Sequence, residues 1–464
     1  MTAECVATSY ELSKTEQVSS MKRLLQIALI GVIVSTPALA QQRATFIRDA
    51  ETEALMARFA EPIFSAAGLD TSAVRIYLLQ DSRINAFVAG GQNLFLHTGL
   101  LRAAEHADQV IGVIAHETGH IAGGHLPRLK EAQRIASIEQ ILFCTLGVLT
   151  AGGAAASGST TGGSAVALCG ADAPLGSLMK FSRTQESAAD QAGMKFLDET
   201  GQSSRGMLEF LKILANEQKI VLQPPPYLLS HPLTTDRIAA VRAHVEQSPL
   251  GNEPTRVDYE ALFQRVRAKL IGYVDPLPRV LKRYPDSDNS LEARYARAVA
   301  YFGAGQMPKA IAQVDSLLAE FPGDPYFSEL KGDILFKGGK AKAAVPFYQA
   351  AVDAEPDSPM LLMSLGRTQK ETGDPAMIKA AIENLKRVVE IEPANPGAWR
   401  NLGIAYGLNK QDAEASLALA ESAISSGDRP RAKALAERAM KGLPTGSPGW
   451  LRAQDISNAV GGSS

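Results

Sequence analysis

Two histidines and a glutamate lie close together in the segment Ala115-His-Glu-Thr-Gly-His120. If this segment is helical, His116 and His120 share one face, because residues four apart lie one turn above each other. Both imidazoles then reach one metal ion, and imidazole nitrogens suit zinc. Glu117 is placed to take a proton from a water that such an ion activates. The pattern alone recurs by accident, but this segment is apolar, where three unpaired polar groups would be unfavourable.

A catalytic zinc site needs a third protein ligand and keeps one position open. His125 follows His120 by five residues, which places it about 140° around a helix from the ligand face and makes it unsuitable. Glu186, in the segment Glu186-Ser-Ala-Ala-Asp190, is the better candidate. Asp190 lies one turn further on and is placed to orient a ligating imidazole. Ordinary surface salt bridges are an equal alternative for both carboxylates.

The segments around these residues predict a small sheet and two helices. β-Branched and aromatic residues predict a strand over Val74–Leu79. Two short apolar runs, at 85–88 and 93–97, flank Gly90-Gly91 and indicate a hairpin. Apolar spacing predicts a helix that carries the two histidines, from His106 onward, and a second helix over 183–200.

Composition narrows the class of protein. The 464 residues allow about three domains, and a content of 45% hydrophobic and 21% charged residues is typical of a globular protein. The formal net charge of -2 gives no general attraction to nucleic acid, so we expect no nucleic-acid partner. Three cysteines are too few for a disulfide scaffold.

The N-terminal region predicts export. Met21-Lys22-Arg23 precedes a short apolar run and the small-residue sequence Ala38-Leu39-Ala40, the three parts of a secretory signal peptide. We expect residues 1–40 to be removed and the mature chain to begin at Gln41, in the periplasm. A retained membrane anchor is the alternative, although the apolar run is shorter than the roughly 20 residues that a span needs. Cys144 and Cys169 remain after cleavage, and the sequence leaves open whether they pair.

Repeats follow in the C-terminal half. Pro322 and Pro356 are 34 residues apart, and Phe302-Gly-Ala-Gly recurs 34 residues later as Phe336-Lys-Gly-Gly. A helix–turn–helix unit of this length that closes on proline is the tetratricopeptide repeat. Each unit covers its neighbour's apolar face, and the stack offers an extended groove to partners. We predict a protease domain over 41–250, linking helices over 251–287 and a repeat domain over 288–456.

One stretch fits neither domain pattern. Residues 152–170 are rich in Gly, Ala, Ser and Thr, a composition typical of a mobile segment. A flap that gates the cleft and a segment that touches a membrane are both open interpretations. If it is a gate, its deletion is expected to raise proteolysis of an unstructured substrate.

The chain resembles the HtpX-like zinc metallopeptidases, and within them the branch that joins such a protease to C-terminal tetratricopeptide repeats. The resemblance covers nearly all of the chain after residue 40. Its motifs are Asn85-Ala-Phe, Gly90-Gly91, His116-Glu-Thr-Gly-His120, Glu186–Asp190, Ser230-His231-Pro232 and Asp236-Arg237-Ile238. It implies an α+β, mostly helical fold: a gluzincin-type protease domain with a small β-sheet, followed by an α–α superhelix of repeats.

The resemblance also implies roles for individual residues. One zinc ion per chain would be bound by His116, His120 and Glu186, with Glu117 as the general base. His231 would occupy the open metal position in a resting, self-inhibited state. Alternatively, His231 is a capping or turn residue before Pro232. Arg237 is expected either to stabilise an oxyanion or to pair with a carboxylate.

These features together predict a zinc-dependent endopeptidase. The substrate would add as a strand along the hairpin at Asn85, Phe87 and Gly91, held by main-chain hydrogen bonds. The resemblance implies misassembled outer-membrane proteins as substrates, with the repeats docking their assembly machinery and a peripheral membrane contact. The alternative from another class is a chaperone-like adaptor in outer-membrane protein assembly with a largely silenced metal site. An intact Glu117 favours catalysis, because an adaptor has no chemical need for it.

Overall fold

The computed structural model describes residues 45–125 except Ser72, 172–220, 227–228 and 231–461, with the backbone alone at 172–181, 218–220 and 461. The predicted signal peptide, Cys144, Cys169, the 152–170 stretch and Ser230 lie outside these residues. Among the described helices, none combines the length and the apolar run that a bilayer crossing requires.

A four-stranded mixed sheet forms one side of the N-terminal half. Its strands are β1 (Phe46–Ile47), β2 (Arg75–Leu79), β3 (Ala86–Ala89) and β4 (Asn93–His97), in the order β1-β2-β4-β3. β2 and β4 are parallel, and the outer pairs are antiparallel. Gly90 and Gly91 turn the β3–β4 hairpin at φ angles of 60° and 97°, a backbone region that glycine adopts without strain. Because β3 is last in the order of the described strands, it is an edge strand of this sheet.

Six of the described helices stack on the inner face of this sheet, the first three in contact with its strands and the next three packed on those helices and on one another. They are α1 (Ala50–Ala66), α2 (Thr98–Ala103), α3 (Ala107–Ala122), α4 (Asp172–Glu199), α5 (Arg205–Ile220) and α6 (Thr235–Gln247). Alternation along the strands sends Leu78, Leu94 and Leu96 inward, where they are buried with the apolar sides of these helices. α7 (Val257–Val274) adds Phe263 to the same core, and α8 (Leu277–Arg283) follows it.

Ten helices pack in antiparallel pairs through the C-terminal half. They are α9 (Leu291–Gly303), α10 (Met307–Glu320), α11 (Pro325–Lys337), α12 (Ala341–Ala354), α13 (Pro359–Glu371), α14 (Pro375–Ile391), α15 (Pro396–Leu408), α16 (Asp412–Ser425), α17 (Arg429–Gly442) and α18 (Pro448–Gly461). Several of these helices begin on proline, which suits the first helical position because an N–H there would have no partner within the helix. The side chains of Asp324, Asp374 and Asn395 cap three of them by accepting hydrogen bonds from backbone N–H groups of the first turn.

The start of α1 packs against the repeats. Ala50 lies in a cluster with Leu361 and Leu365 of α13, and the Tyr295 hydroxyl of α9 donates to Glu51 Oε2 at 2.6 Å. Lys269 of α7 pairs with Glu51 and, at 2.5 Å, with Asp49. The two halves of the chain therefore share buried apolar and ionic contacts.

The predicted mostly helical α+β class with C-terminal helical repeats is confirmed. The three predicted strands are present within about one residue of their expected bounds. The second predicted helix begins earlier than residue 183, at Asp172, and β1 and α1 were not predicted.

Candidate metal centre

Helix α3 presents the paired histidines. His116 and His120 lie on one face, with their Nε2 atoms 3.2 Å apart, as residues four apart in a helix require. Glu117 points beside them and is 0% exposed. His116 and His120 are buried as well, so this polar face is enclosed by protein rather than solvated.

Helix α4 brings Glu186 to this face. One of its carboxylate oxygens lies 3.4 Å from His116 Nε2, and the other lies 3.3 Å from His120 Nε2. Gly119 permits this approach, because a Cβ at that position would lie 2.6 Å from the backbone oxygen of Ala189. A side chain at residue 119 would hold α4 away, so the glycine helps to set the distance between the carboxylate and the imidazoles.

His231, just before α6, completes the group. Its Nδ1 lies 3.3 Å from His116 Nε2 and 3.1 Å from Glu186 Oε1. Two imidazoles from one helix, a carboxylate from a second and a third imidazole thus converge, and all are buried. Atoms 3.1–3.4 Å apart have the spacing of ligands around a tetrahedral ion at about 2.0 Å, since ligands there are about 3.3 Å apart. The residues present fit a zinc ion.

Asp190 and Arg237 support the ligands from behind. Asp190 Oδ1 lies 2.8 Å from His116 Nδ1, the nitrogen that faces away from the other ligands. Arg237 of α6 donates to both oxygens of Asp190, at 2.6 and 2.8 Å, and contacts Glu186 Oε2 at 2.9 Å. Of the two roles expected for Arg237, the geometry favours pairing with carboxylates, because all three of its guanidinium nitrogens face them.

The charges of this cluster shift one another's pKa values. Burial is the largest single effect on His116 and lowers its pKa. The hydrogen bonds and charges of Asp190 and Glu186 together outweigh it and raise the pKa of His116 to about 10. Despite the same burial, His231 and the two α3 histidines hold the pKa of Glu186 well below its usual range, and Arg237 lowers that of Asp190. Both carboxylates therefore stay ionised, as metal ligation and imidazole orientation require.

Glu117 stands apart from the ligand group. Neither of its carboxylate oxygens accepts a hydrogen bond from the described residues, and His231 Nε2 lies 3.4 Å from Oε1. A buried carboxylate without a hydrogen bond destabilises the folded state, so a purely structural role does not explain it. Its placement fits a base that exchanges protons with a water or a substrate nitrogen.

Two residues near the cluster were not predicted to support it. His125 lies outside the group of four potential ligands, but its Nδ1 lies 2.9 Å from His120 Nδ1, where it can orient that ring. The chain turns at Gly123 and Gly124 and returns the side chain to α3. Tyr227 stacks on His231, with ring centroids 4.5 Å apart. The Gly-Gly pair before His125 is a sequence signal that could have revealed the first contact; Tyr227 had none.

The hairpin expected to hold a substrate strand lies beside this centre. β3, which contains Phe87, packs against α3. Asn85 directly precedes the strand, and its backbone oxygen accepts from the His97 N–H at 3.0 Å. Gly91 lies in the turn and not in the strand, so of these three residues only Phe87 is on β3, the last strand of the described sheet.

Comparisons with known proteins agree with this fold and site. Residues 47–245 match Peptidase family M48, and residues 279–325 and 295–359 match the tetratricopeptide repeat. The chain is 30% identical over 385 residues to the "Beta-barrel assembly-enhancing protease" of Yersinia pestis, covering 80% of this chain and 75% of that protein. The protein of the same name from Escherichia coli (strain K12) is 26% identical over 352 residues, with 73% and 68% covered.

Fold and site thus define a metalloprotease with C-terminal tetratricopeptide repeats. The chain belongs to peptidase family M48, in the group of the beta-barrel assembly-enhancing proteases. The predicted resemblance is confirmed.

Proposed function

We propose that the protein is a zinc-dependent endopeptidase. The observation that carries the proposal is the convergence of His116, His120 and Glu186 next to Glu117, whose buried carboxylate accepts no hydrogen bond from the described residues. A zinc ion bound by these ligands supplies Lewis acidity, which lowers the pKa of water and polarises a peptide carbonyl.

The chain's own residues provide the rest of the mechanism. Glu117 takes the proton of the attacking water and passes it to the leaving amide nitrogen. Asp190 holds His116 by its Nδ1 at 2.8 Å, which fixes the tautomer that presents Nε2 to the metal. Arg237 balances the charge of Asp190 and Glu186 and keeps both carboxylates in place.

His231 makes the resting site self-inhibited in this proposal. With its Nδ1 among the ligands, four protein groups surround the metal position, as in closed structural zinc sites, whereas catalytic sites keep one position open. Activity requires the His231 ring to leave.

A substrate would bind in extended form along β3. This strand ends the sheet, so its outer backbone groups can pair with an added strand, which places little demand on substrate sequence. Because β3 packs against α3, such a strand runs close to Glu117.

The physiological setting follows from the relatives and from the N-terminal segment. The relatives are named for enhancing β-barrel assembly, and residues 21–40 read as a signal peptide. We infer that the protein is a periplasmic enzyme that cleaves misassembled outer-membrane proteins. Its repeats would dock the assembly machinery, and it would touch the membrane only peripherally. Nucleic acid is not an expected partner.

A chaperone-like adaptor is the second candidate. The observation that favours it is the closed ligand set, since a site held shut by His231 would be largely silent. In that case the function of the protein would be to bind assembly partners through its repeats.

Metal content and casein cleavage, measured on the same preparations, test the proposal. The wild type is expected to hold one zinc per chain and to cleave casein, with activity lost to a chelator and restored by zinc. His116→Ala is expected to lose both zinc and cleavage. A zinc-loaded wild type that never cleaves, even when His231 is replaced by alanine, would favour the adaptor.

A further inference from the structure

Four aromatic rings run across the face of the sheet that is turned away from the helices. We call Phe46, Tyr77, Phe95 and Phe87 the aromatic stripe; they lie on β1, β2, β4 and β3 in spatial order. Tyr77 is opposite Phe95, and Phe95 is opposite Phe87, in the strand register. Their positions alternate with the inward leucines, so the stripe occupies the opposite face.

Three of the rings stack with little tilt, whereas Phe46 meets Tyr77 edge-on, with 66° between the ring planes. The centroids of Tyr77 and Phe95 are 5.1 Å apart with 17° between planes, and those of Phe95 and Phe87 are 4.9 Å apart with 12°. These separations match the spacing of neighbouring strands. Each strand thus contributes one rung, and a strand added to the sheet at the same register would place its own side chain one spacing beyond Phe87.

The stripe ends where a substrate strand would begin. Phe87 lies on β3, whose outer edge has no strand partner among the described residues, and β3 packs against the helix that carries His116. The side chains of Tyr77, Phe95 and Phe87 are only partly buried, and Phe46 at the far end is 55% exposed. This is unusual for a solvated sheet face, where polar residues are the rule.

We propose that the Phe87 end of the aromatic stripe is a substrate subsite: a polypeptide strand added along β3 is selected for an aromatic side chain directly opposite Phe87. The inference rests on the proposed function, since it assumes that substrates bind along β3. Cross-strand aromatic pairs stabilise a sheet beyond the area they bury. An aromatic-rich, extended and unfolded polypeptide is therefore the favoured substrate class.

Peptides of matched sequence test the proposal. A peptide that the zinc-loaded full-length protein cleaves is resynthesised with phenylalanine or alanine at each position flanking the cleaved bond, and kcat/KM is measured for each pair. The phenylalanine-to-alanine ratio is expected to be about 2 to 10 at one position. It should be near 1 at the adjacent positions, because neighbouring side chains of a strand face opposite sides. The gain should fall mainly on KM, because the ring binds equally well before and during the reaction.

Phe87→Leu keeps apolar volume and removes the ring, so the ratio at that position should drop toward 1. Phe46→Leu is the matched control, since it alters the same stripe three strands away and should keep the ratio. Melting temperature checks that both variants fold. Equal ratios in wild type and Phe87→Leu, or no aromatic preference at any position, would overturn the proposal.

Binding separates this inference from the proposed enzymatic function. The affinity of the same labelled peptides for Glu117→Gln is measured by fluorescence polarisation, which needs no turnover. Aromatic preference in binding supports the subsite even if the wild type proves inactive, an outcome that would count against the enzyme alone. If instead both stripe variants lose flotation with phospholipid vesicles and no peptide preference exists, the stripe is a membrane face and the proposal is wrong.

Discussion

His231 lies against Glu117, with its Nε2 3.4 Å from Glu117 Oε1. The other ring nitrogen, Nδ1, faces His116 and Glu186. One side chain therefore meets both parts of the proposed chemistry, the metal ligands and the base. Its removal would free a coordination position and leave Glu117 open to water at the same time.

His231→Ala is expected to raise the rate of casein cleavage, because it opens the fourth position and unblocks the base. The zinc content should remain at one per chain, since three ligands remain. Initial rates and metal analysis on the same sample check this. A variant that keeps its zinc and is no faster than the wild type would contradict self-inhibition.

Glu117→Gln is expected to lower kcat by about 10²- to 10⁴-fold, the usual contribution of a general base. Glutamine keeps the shape of the side chain but cannot take a proton, and it leaves the ligand group unchanged. Zinc content and melting temperature should match those of the wild type. Cleavage that persists in a zinc-loaded Glu117→Gln chain would remove Glu117 from the mechanism.

His125→Ala is expected to weaken zinc binding by about 10- to 100-fold, the usual effect of losing a group that orients a ligand. The reason is the 2.9 Å contact between His125 Nδ1 and His120 Nδ1. Competition with a chelator measures the affinity. His244→Ala is the control, because that histidine pairs with Asp198 outside the ligand group. Equal zinc affinity in the two variants would show that His125 does not support the site.

Glu329 of the repeats should make stability depend on pH. Burial, together with Asp333 one turn along α11, raises the pKa of Glu329 from 4.5 to about 8 against the pull of Lys269. Between these values the folded chain holds a proton that the unfolded chain has released, so stability falls as pH rises through this interval.

Glu329→Gln removes this loss. At pH 8.5 the variant should be more stable by about 2–5 kcal/mol, since each pKa unit corresponds to about 1.4 kcal/mol, which is a rise of roughly 2–5 °C in melting temperature, and the difference should vanish near pH 4.5. Thermal melting across the pH range measures it. Glu383→Gln is the control, because that carboxylate is exposed and pairs with Lys386. A difference that is the same at every pH would contradict the shifted pKa.

The sequence sufficed for the parts of the fold that have local signals. Proline spacing predicted the repeats, and apolar alternation with a Gly-Gly turn predicted the β3–β4 hairpin, because turn and cap chemistry act over a few residues. The expected convergence of His116, His120 and Glu186 agrees with the geometry, although their roles remain predictions. The i, i+4 spacing of the histidines made that part of the site readable.

The remaining contacts depend on packing between distant segments. His125 reaches His120 only because the chain turns back at Gly124, which has a φ of 60°. The approach of α4 depends on Gly119, whose importance shows only once Ala189 is seen against it. β1 is two residues long, too short for a periodic signal to indicate a strand.

The packing of α1 against the repeats has a consequence for the order of events during synthesis. Glu51 is joined to Tyr295, 244 positions later, and Arg48 to Glu392, 344 positions later. The ribosome makes the catalytic half first, yet the contacts at its opening helix can form only when residues up to Glu392 have been made. Such long-range closure slows folding, so we expect the catalytic half to reach its final packing only after most of the repeat region is present.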